Sequence, residues 1–348
     1  MIERIAFQIE CVSPTLNLGA DKQPEDEIFR AASLRGCWRF WARAAIAGIL
    51  EKPDPNTLRL LENALFGGVE PAFQTFRMRV SPSANNPSPS TKQFALLSHK
   101  PLQKDQAWKT ANISTSRANV SLSFNHGLAA YKKTLKPEEA DKVPIWDDSA
   151  ENALLAVIWL WGNLGGIGTR SRRGFGSVAL LPDENGNDAF AAAGLPKCCE
   201  TFASRNALVE YLQEGIDKSF QIIREWIAMK YRTKKSLDQN RSANNEMFIL
   251  SSLAQVFVSE MFQSCNDLLR IIADKKAVAD ETGSAVPHRL ASPMIVRIHR
   301  CAEGFIPVLT WSPIDTKKLK IAEDKGNGPW LKEKLHIDTS LQGDSIYA

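Results

Sequence analysis

The segment Asn163-Leu164-Gly165-Gly166-Ile167-Gly168-Thr169-Arg170-Ser171-Arg172-Arg173-Gly174-Phe175-Gly176 is the most distinctive stretch of this chain, with five glycines and three arginines in fourteen residues. Glycine permits backbone conformations with positive φ, so successive N–H groups can converge on an anion. Arginine adds a planar fork that matches phosphate. The segment therefore predicts a turn that binds a nucleic-acid backbone. The alternative is a flexible turn with solvated arginines.

The elements on both sides of this glycine loop indicate a ferredoxin-like unit. Apolar periodicity predicts the order β-α-β-β-α-β. The corresponding segments are a strand at Ile5–Val12, a helix at Ser33–Leu50 with Ser33 as N-cap, a short helix ending at Gly67, strands at Phe73–Val80 and Val120–Phe124, a helix at Ser149–Leu164 and a strand at Phe175–Leu181. We assign residues 1–190 to this amino-terminal domain.

The remaining residues, 191–348, are predicted to form a second, helix-rich α+β domain. Helical spacing connects Leu208 to Ile227, and again Leu250 to Met261. Two strands are predicted at Met294–His299 and Phe305–Trp311. The predicted fold class is α+β, with two ferredoxin-like (RRM-like) domains.

Other glycine-rich phosphate motifs do not match the loop. Gly166 and Gly168 lack a third glycine at position 171, the loop follows a helix and not a strand, and no Gly-Lys-Ser/Thr is present. A dinucleotide or nucleoside triphosphate site is therefore not expected. Phe175 has two open interpretations, since it could stack on a base but a strand phenylalanine usually lies in the core.

Charge is balanced overall and uneven locally. The chain carries 43 Lys and Arg against 39 Asp and Glu, yet residues 28–50 hold four arginines and no acid. Arg35, Arg39 and Arg43 recur every four residues, so on a helix they form one stripe. Either carboxylates elsewhere in the fold neutralise the stripe, or a polyanion lies across it. Gly36, within the same helix, hints at close approach by a backbone or a ligand.

Composition excludes several other classes of protein. The six cysteines form no CxxC pair, and the five histidines form no HExxH or HxH pair, so neither a metal nor another cofactor is expected. The longest apolar run, Ala153–Trp161, is shorter than the roughly 20 residues of a membrane span. The N-terminus has no signal-peptide core. We expect a soluble, cytoplasmic protein.

Several segments resemble the RAMP superfamily of CRISPR proteins. Residues 165–176 resemble its glycine-rich motif. Ser33–Ala44 and Glu62–Gly68 are similar to the first helix and the Leu-Phe-Gly turn of the first-numbered subunits of type III-B (Cmr) effector complexes, and Arg289–Pro293 with Phe305–Leu309 is similar to their carboxy-terminal part.

This resemblance implies a non-catalytic subunit of a ribonucleoprotein, with two ferredoxin-like domains. Such a subunit would hold the 3′ side of the CRISPR RNA, help to capture target RNA and contact other Cmr subunits. The alternative is a RAMP endoribonuclease, for which Asp21, Asp26, His126 and Tyr131 are the candidate residues. No acid and base pair at the glycine loop supports that alternative.

The predicted RNA-binding residues come from the two arginine-rich windows. They are expected to bind phosphates without reading bases, and no catalytic residue is predicted. The set is Arg35, Arg39, Arg43, Gly165, Gly166, Gly168, Arg170, Ser171, Arg172, Arg173, Gly174 and Gly176.

Overall fold

The fold was analysed in a computed structural model. It describes residues 4–15, 29–51, 53–83, 91–95, 108–112, 116–231, 250, 254–272, 294–312 and 339–341. The predicted candidates Asp21 and Asp26 and the segment Arg289–Pro293 lie outside these ranges.

The amino-terminal unit is built on a four-stranded antiparallel sheet. Its elements are β1 (Arg4–Cys11), α1 (Ala31–Ile49), α2 (Pro55–Phe66), β2 (Gly68–Val69), β3 (Ala72–Phe73), β4 (Phe76–Pro82), β5 (Thr91–Ala95), β6 (Trp108–Asn112), β7 (Arg117–Phe124), α3 (Leu128–Lys132), α4 (Pro137–Ala140), α5 (Asp148–Leu164), β8 (Val178–Leu181) and α6 (Ala189–Ala192).

The strand order β4-β7-β1-β8 is that of a ferredoxin-like sheet, with α1 and α5 as the two crossover helices. β1 pairs with β7 on one side and with β8 on the other. Alternate residues such as Phe7, Ile9, Val120 and Leu122 point to the helices and are buried. The predicted β-α-β-β-α-β order is confirmed.

The carboxy-terminal unit repeats this strand order. It contains α7 (Arg205–Tyr231), β9 (Gln255–Val258), α8 (Cys265–Ile272), β10 (Met294–Cys301), β11 (Gly304–Trp311) and β12 (Thr339–Leu341). Its sheet runs β10-β11-β9-β12, so the first strand along the chain again lies at an inner position between the third and the fourth. The predicted α+β fold class with two ferredoxin-like sheets is confirmed.

One predicted helix is wrong. The spacing of Leu250, Phe257 and Met261 predicted a helix, but residues 255–258 form β9, which pairs with β11 and β12. Val256 and Val258 alternate with Phe257, and β-branched residues favour strands. Both faces of β9 are buried, so its continuous apolar sequence does not reveal the period of two.

Helix α5 lies at the centre of the molecule. Every residue from Ala153 to Leu164 is buried, so the helix is apolar all round. It contacts α1, α7 and β8, and also β10 and β11 of the second sheet. The two units therefore share one core around α5. The predicted boundary at residue 190 falls in α6 and stays a prediction.

A cluster of four charged side chains also joins the two units. Glu10 of β1 is buried and is ion-paired with Arg117 of β7 and, at 2.9 Å, with Arg300 of β10. Glu200, from the segment that connects the units, lies 3.0 Å from Arg117 and 3.1 Å from Arg300. Each arginine contacts both carboxylates, so the charges in the cluster are balanced.

None of the helices that the structure describes combines the length and the apolarity that a membrane crossing requires.

We expect Gly215→Ala, in α7, to lower the free energy of unfolding. A Cβ at this position would lie 1.9 Å from the ring of Trp159, which is fully buried in α5 and cannot move aside. Alanine favours the helix over glycine by about 1 kcal/mol, and overpacking of this severity costs up to about 3 kcal/mol. The free energy of unfolding should therefore fall by about 2 kcal/mol. Denaturant unfolding measures it.

Gly36→Ala in α1 is the matched control. A Cβ there meets no described atom within 4 Å, so the same substitution leaves the free energy of unfolding unchanged or raises it by up to about 1 kcal/mol. Equal behaviour of the two variants would contradict the close packing of α5 on α7.

Candidate functional site

The glycine loop, residues 165–176, connects the end of α5 to β8 and is held by backbone hydrogen bonds at both ends. Within the loop, the Ile167 N–H donates to the Gly176 carbonyl at 2.9 Å. The Gly176 N–H donates to Pro14, just after β1, also at 2.9 Å. Gly174 donates to Val296 of β10 at 2.9 Å. The loop thus has a fixed shape set by both sheets.

Close backbone contact explains the glycine at position 176. Gly176 has a φ of +64°, and a Cβ there would lie 1.9 Å from the Ile167 carbonyl oxygen. A side chain would therefore break the hydrogen bond that closes the loop. A Cβ at Gly165 would lie 2.6 Å from the indole nitrogen of Trp41, so this residue brings the loop against α1.

The N–H groups of three predicted anion-binding glycines are used inside the protein. Gly165 donates to Trp161 at 2.8 Å, and Gly174 and Gly176 donate as described above. In this conformation the three N–H groups are not directed at a ligand, and the three glycines instead stabilise the conformation of the loop. Gly168 is exposed, at the outer turn that leads to Arg170.

The end of α5 is fixed by side chains from β10. Arg297 is fully buried, and its guanidinium donates to the Gly162 carbonyl at 3.0 Å and to the Val178 and Ile298 carbonyls. His299 Nε2 bonds to the Asn163 carbonyl at 2.9 Å. The last carbonyls of a helix have no partner within it, and a cation there is also favoured by the helix dipole.

Burial lowers the pKa of Arg297 to about 9, so the side chain stays charged at neutral pH. Burial, and then the nearby Arg297, hold the pKa of His299 well below its usual range, so this imidazole is neutral.

A cleft of about 270 Å³ lies between α1 and the glycine loop. The two windows singled out in the sequence meet here, and the second sheet adds one side chain. The lining residues are Ser33, Gly36, Cys37, Phe40, Trp41, Gly165, Gly166, Ser171, Arg172 and Ile295.

Gly36 keeps this cleft open. Since a Cβ at Gly36 meets no described atom within 4 Å, no described backbone approaches it closely. Of the two reasons that the sequence offered for this helical glycine, close approach by a backbone is not seen, and room for a ligand is consistent with the cleft.

The walls of the cleft combine aromatic rings with cationic and hydroxyl groups. The Arg172 guanidinium lies 5.1 Å from the centroid of the Phe40 ring, and the rings of Phe40 and Trp41 meet edge to face. Ser33 and Ser171 contribute hydroxyl groups from opposite walls. Ring faces, hydroxyls and a guanidinium are the groups that bind sugars and phosphates of single-stranded nucleic acids.

Electrostatics favours an anion in this cleft. Burial lowers the pKa of Arg172 and Arg173, while burial and then the neighbouring Arg173 lower the pKa of Arg170 to about 10. All three stay cationic at neutral pH, and partial desolvation strengthens their attraction for a phosphate.

Helix α1 begins at Ala31, two residues before the predicted N-cap Ser33. It has no side-chain cap bond at its N-terminus and no acid in its first turn. The positive end of its dipole therefore lies at the Ser33 side of the cleft without a neutralising side chain from the first turn.

Two of the α1 arginines bind carbonyl groups next to α2. Arg35 donates to the carbonyls of Phe66 at 3.0 Å and Phe76 at 3.2 Å, with its guanidinium 4.2 Å from the centroid of the Phe76 ring. Arg39 donates to the Gly67 carbonyl at 3.0 Å. Burial, and then Arg39, lower the pKa of Arg35.

Glu62 of α2 also neutralises part of this stripe. It lies 2.8 Å from Arg43 and 3.4 Å from Arg39, so the carboxylate pairing that the sequence left open does occur. The structure does not bring Arg35, Arg39 and Arg43 into the cleft with Arg172. Their predicted contact with RNA stays a prediction.

The strand predicted at Phe175–Leu181 begins at Val178, so Phe175 belongs to the glycine loop. Of its two interpretations, the core position is the one observed, because Phe175 is buried between the second sheet and α8. Within the described ranges, no cluster of three or more His, Cys, Asp or Glu side chains is placed to hold a metal ion.

The nuclease candidates His126 and Tyr131 lie far from the glycine loop. They follow β7, whose last residues pair with the start of β1, while the glycine loop meets the end of β1. The eight residues of β1 separate them from the loop by roughly 25 Å.

Several lining residues were not predicted from the sequence. Phe40 and Trp41 lie within the predicted helix at Ser33–Leu50, where an aromatic residue is usually core. Ile295 comes from the other unit, and no local pattern announces such a contact. Their only local signal is proximity to Gly36 in the sequence, since a helix places residue 40 one turn beyond residue 36.

Comparisons with known proteins agree on one family. The RAMP superfamily model matches residues 8–179. The CRISPR system Cmr subunit Cmr1-1 of Pyrococcus furiosus is 28% identical over 177 residues, which are 50% of this chain and 47% of that protein. Cmr1-2 of the same organism is 25% identical over 185 residues, 50% of this chain and 93% of that protein. The chain thus matches about half the length of Cmr1-1.

Solved structures extend the likeness in fold beyond this half. The crystal structure of apo Cmr1 from Pyrococcus furiosus has a TM-score of 0.56 at 16% identity and covers 98% of this chain and 99% of its own. A chain from the cryo-EM structure of the type III-B Cmr-beta complex bound to cognate target RNA has a TM-score of 0.55 at 10% identity, covering 88% and 94%. These matches establish the fold.

We expect Arg297→Lys to lower the free energy of unfolding although the charge is kept. A lysine carries a single ammonium group and cannot reach the separated carbonyls that the guanidinium fork serves. Each buried carbonyl left without a donor costs about 1–3 kcal/mol. Chemical denaturation measures the loss, and Arg59→Lys on the exposed face of α2 is the control, with no change expected. Equal stability of the two variants would show that Arg297 does not hold the end of α5 in this way.

Proposed function

Since residues 8–179 of this chain belong to the RAMP superfamily, we propose that the protein is an RNA-binding, non-catalytic subunit of a type III-B CRISPR (Cmr) ribonucleoprotein. The observation that carries the proposal is the cleft in which α1 meets the glycine loop. In it, residues from both arginine-rich windows come together in a site suited to a ribose-phosphate backbone.

The chemistry of the cleft supports binding without base recognition. Arg172 and Ser171 offer donors to phosphate oxygens, and the start of α1 adds its dipole. Phosphate contacts position a strand and carry no sequence information. A subunit that accepts guide RNAs of many sequences requires this kind of contact.

The outer turn of the loop extends this surface. Gly168 and Thr169 are exposed, and Arg170 and Arg173, which flank the lining residues Ser171 and Arg172 in the sequence, are half-buried. Arg39 and Arg43 keep 34% and 38% of their side chains exposed, so a strand that leaves the cleft along α1 can reach them. Arg35 contributes by fixing the turn after α2.

The proposed partners are CRISPR RNA, target RNA and other Cmr subunits, and the proposed compartment is the cytoplasm. The homologous Cmr1 chains and the complex bound to target RNA support these partners. We place the subunit at the end of the complex that holds the 3′ side of the CRISPR RNA. The division into domains at residues 1–190 and 191–348 is part of the same proposal.

Removal of the loop arginines is expected to weaken RNA binding and its salt dependence. The triple variant Arg170→Ala, Arg172→Ala, Arg173→Ala loses three phosphate contacts. Each contact contributes about 0.7 to the slope of log K against log salt for a single strand, so the slope falls by about 2. Fluorescence anisotropy with a labelled oligouridine at several salt concentrations measures it.

The control for this variant removes the same charge elsewhere, as Arg59→Ala, Lys142→Ala, Arg224→Ala on exposed positions of the surface. Its slope should match the wild-type value. An unchanged slope in the loop variant would refute the proposed site.

Gly36→Leu is expected to separate binding from folding. The leucine side chain has room in the cleft, so the free energy of unfolding should not fall, and a helix favours leucine over glycine by roughly 1 kcal/mol. The same side chain fills the space proposed for the backbone of the strand, so affinity for oligouridine should fall at least tenfold. Gly36→Ala should have a smaller effect, and full affinity in the leucine variant would place RNA outside the cleft.

A further inference from the structure

The amino-terminal sheet has a second face, opposite to α1 and α5, which the helices in the described part of the chain do not cover over β4 and β7. Residues of β4, β7 and β1 alternate, and those that point away from α1 and α5 are polar and half-buried or exposed, apart from the half-buried Ala6 and the buried Glu10 of β1. An antiparallel sheet commonly leaves one face to water, so exposure alone indicates nothing. The informative feature is which side chains occupy this face.

Strand pairing places three arginines and several neutral hydrogen-bonding groups side by side. Arg77 of β4 pairs with Ser123 of β7, which pairs with Arg4 of β1. In the next row of the same face, Arg79 pairs with Ser121. We call this surface, formed by Arg4, Arg77, Arg79, Asn119, Ser121 and Ser123, the open sheet face.

The arginines of this face differ from those of α1 in their surroundings. Arg77 and Arg79 are exposed, whereas both terminal nitrogens of Arg35 bind carbonyl oxygens. Arg4 is exposed and donates to the Ser121 hydroxyl at 2.8 Å.

The carboxy-terminal unit covers only one border of this face. Ala179 and Leu181 of β8 are buried with Phe257 and Leu268 of the second unit, so that edge is closed. Two carboxylates lie nearby. Glu10 is buried in the charged cluster between the units, and Glu184 accepts a hydrogen bond from Asn119 at 2.7 Å. Among the described residues, the three arginines therefore give this face a net positive charge.

We propose that the open sheet face binds an extended single strand of RNA through its sugar-phosphate backbone. It is a surface separate from the cleft of the proposed function, so it adds a second RNA-binding site to the subunit. Two residues on the same face of a strand are about 6.6–6.8 Å apart, so Arg77 and Arg79 present guanidinium groups at a regular interval along a strand of phosphates. Serine and asparagine side chains between the strands supply donors for phosphate or ribose oxygens.

Charge and composition favour RNA over an acidic protein. Protein interfaces gain most of their affinity from buried aromatic or aliphatic anchors, and the described positions of this face carry none. For the same reason, bases have no aromatic ring on which to stack, so binding should be independent of sequence. A surface of this composition suits an RNA strand, whose phosphate charges are exposed and regularly spaced.

The test compares the full chain with the double variant Arg77→Ala, Arg79→Ala in binding a labelled oligouridine across a salt series. Loss of two phosphate contacts should lower the slope of log K against log salt by about 1.4. The charge-matched control Arg59→Ala, Arg224→Ala should keep the wild-type slope. The double variant Arg77→Lys, Arg79→Lys keeps both charges and should retain most of the wild-type slope. This result would show that the alanine variant loses slope because it loses charge.

The outcomes separate this inference from the proposed function. If the double alanine variant behaves as its control while the loop triple variant loses binding, the open sheet face does not bind RNA and is left to an acidic protein partner. If the double variant loses slope and the loop triple variant does not, the cleft fails and the open sheet face stands. If both variants lose slope, and a variant that combines all five substitutions loses more than either, the result supports two RNA-binding sites.

Discussion

The hydrogen bonds of Arg297 are the contacts on which the rest of this structure depends. Its guanidinium binds the carbonyl of Gly162, in the last turn of α5 before the glycine loop, and the carbonyl of Val178, the first residue of β8 after it. One buried side chain from the second unit thus fixes both ends of the loop in the first unit. No carboxylate in the described part of the chain forms an ion pair with this guanidinium, and burial lowers its pKa because it disfavours the charged form. The carbonyl oxygens at the end of α5 and in β8 compensate with their dipoles.

Arginine serves two different purposes in this protein. Arg35 and Arg297 bind backbone carbonyls inside the fold, and Arg205 does the same with Val258 and Ser259. Arg77 and Arg79 are exposed on a sheet. A sequence shows these residues as identical positive charges. Only the position of neighbouring carbonyl groups, which depends on the tertiary structure, distinguishes an arginine that completes the fold from one that can meet a ligand.

Elements with one clear periodicity could be predicted from the sequence, and contacts between distant elements could not. The strand β1 and the helices α1 and α7 each keep one period over many residues, and all three were predicted. Helix α5 was also predicted, although it is apolar all round from Ala153 to Leu164. The segment that forms β9 was predicted as a helix, because both of its faces are buried and its apolar residues fit either period. For the site, the glycine loop was found from composition. Its contact with Gly36 and Ile295 depends on the packing of two sheets around α5, which no local pattern contains.

The burial of α5 from Ala153 to Leu164 has a consequence for how this chain folds during synthesis. The helix is finished when residue 164 has left the ribosome, but the elements that cover it include α7 and the strands β10 and β11, which end at residue 311. Until then, the α5 side chains that pack on these later elements, such as Trp159 against Tyr211 of α7, are without their partners, and such exposed apolar surface is prone to aggregation. The two ferredoxin-like units are separate in topology, yet the burial of α5 requires elements of both. A substitution in the buried part of this helix therefore has to fit the packing of both units.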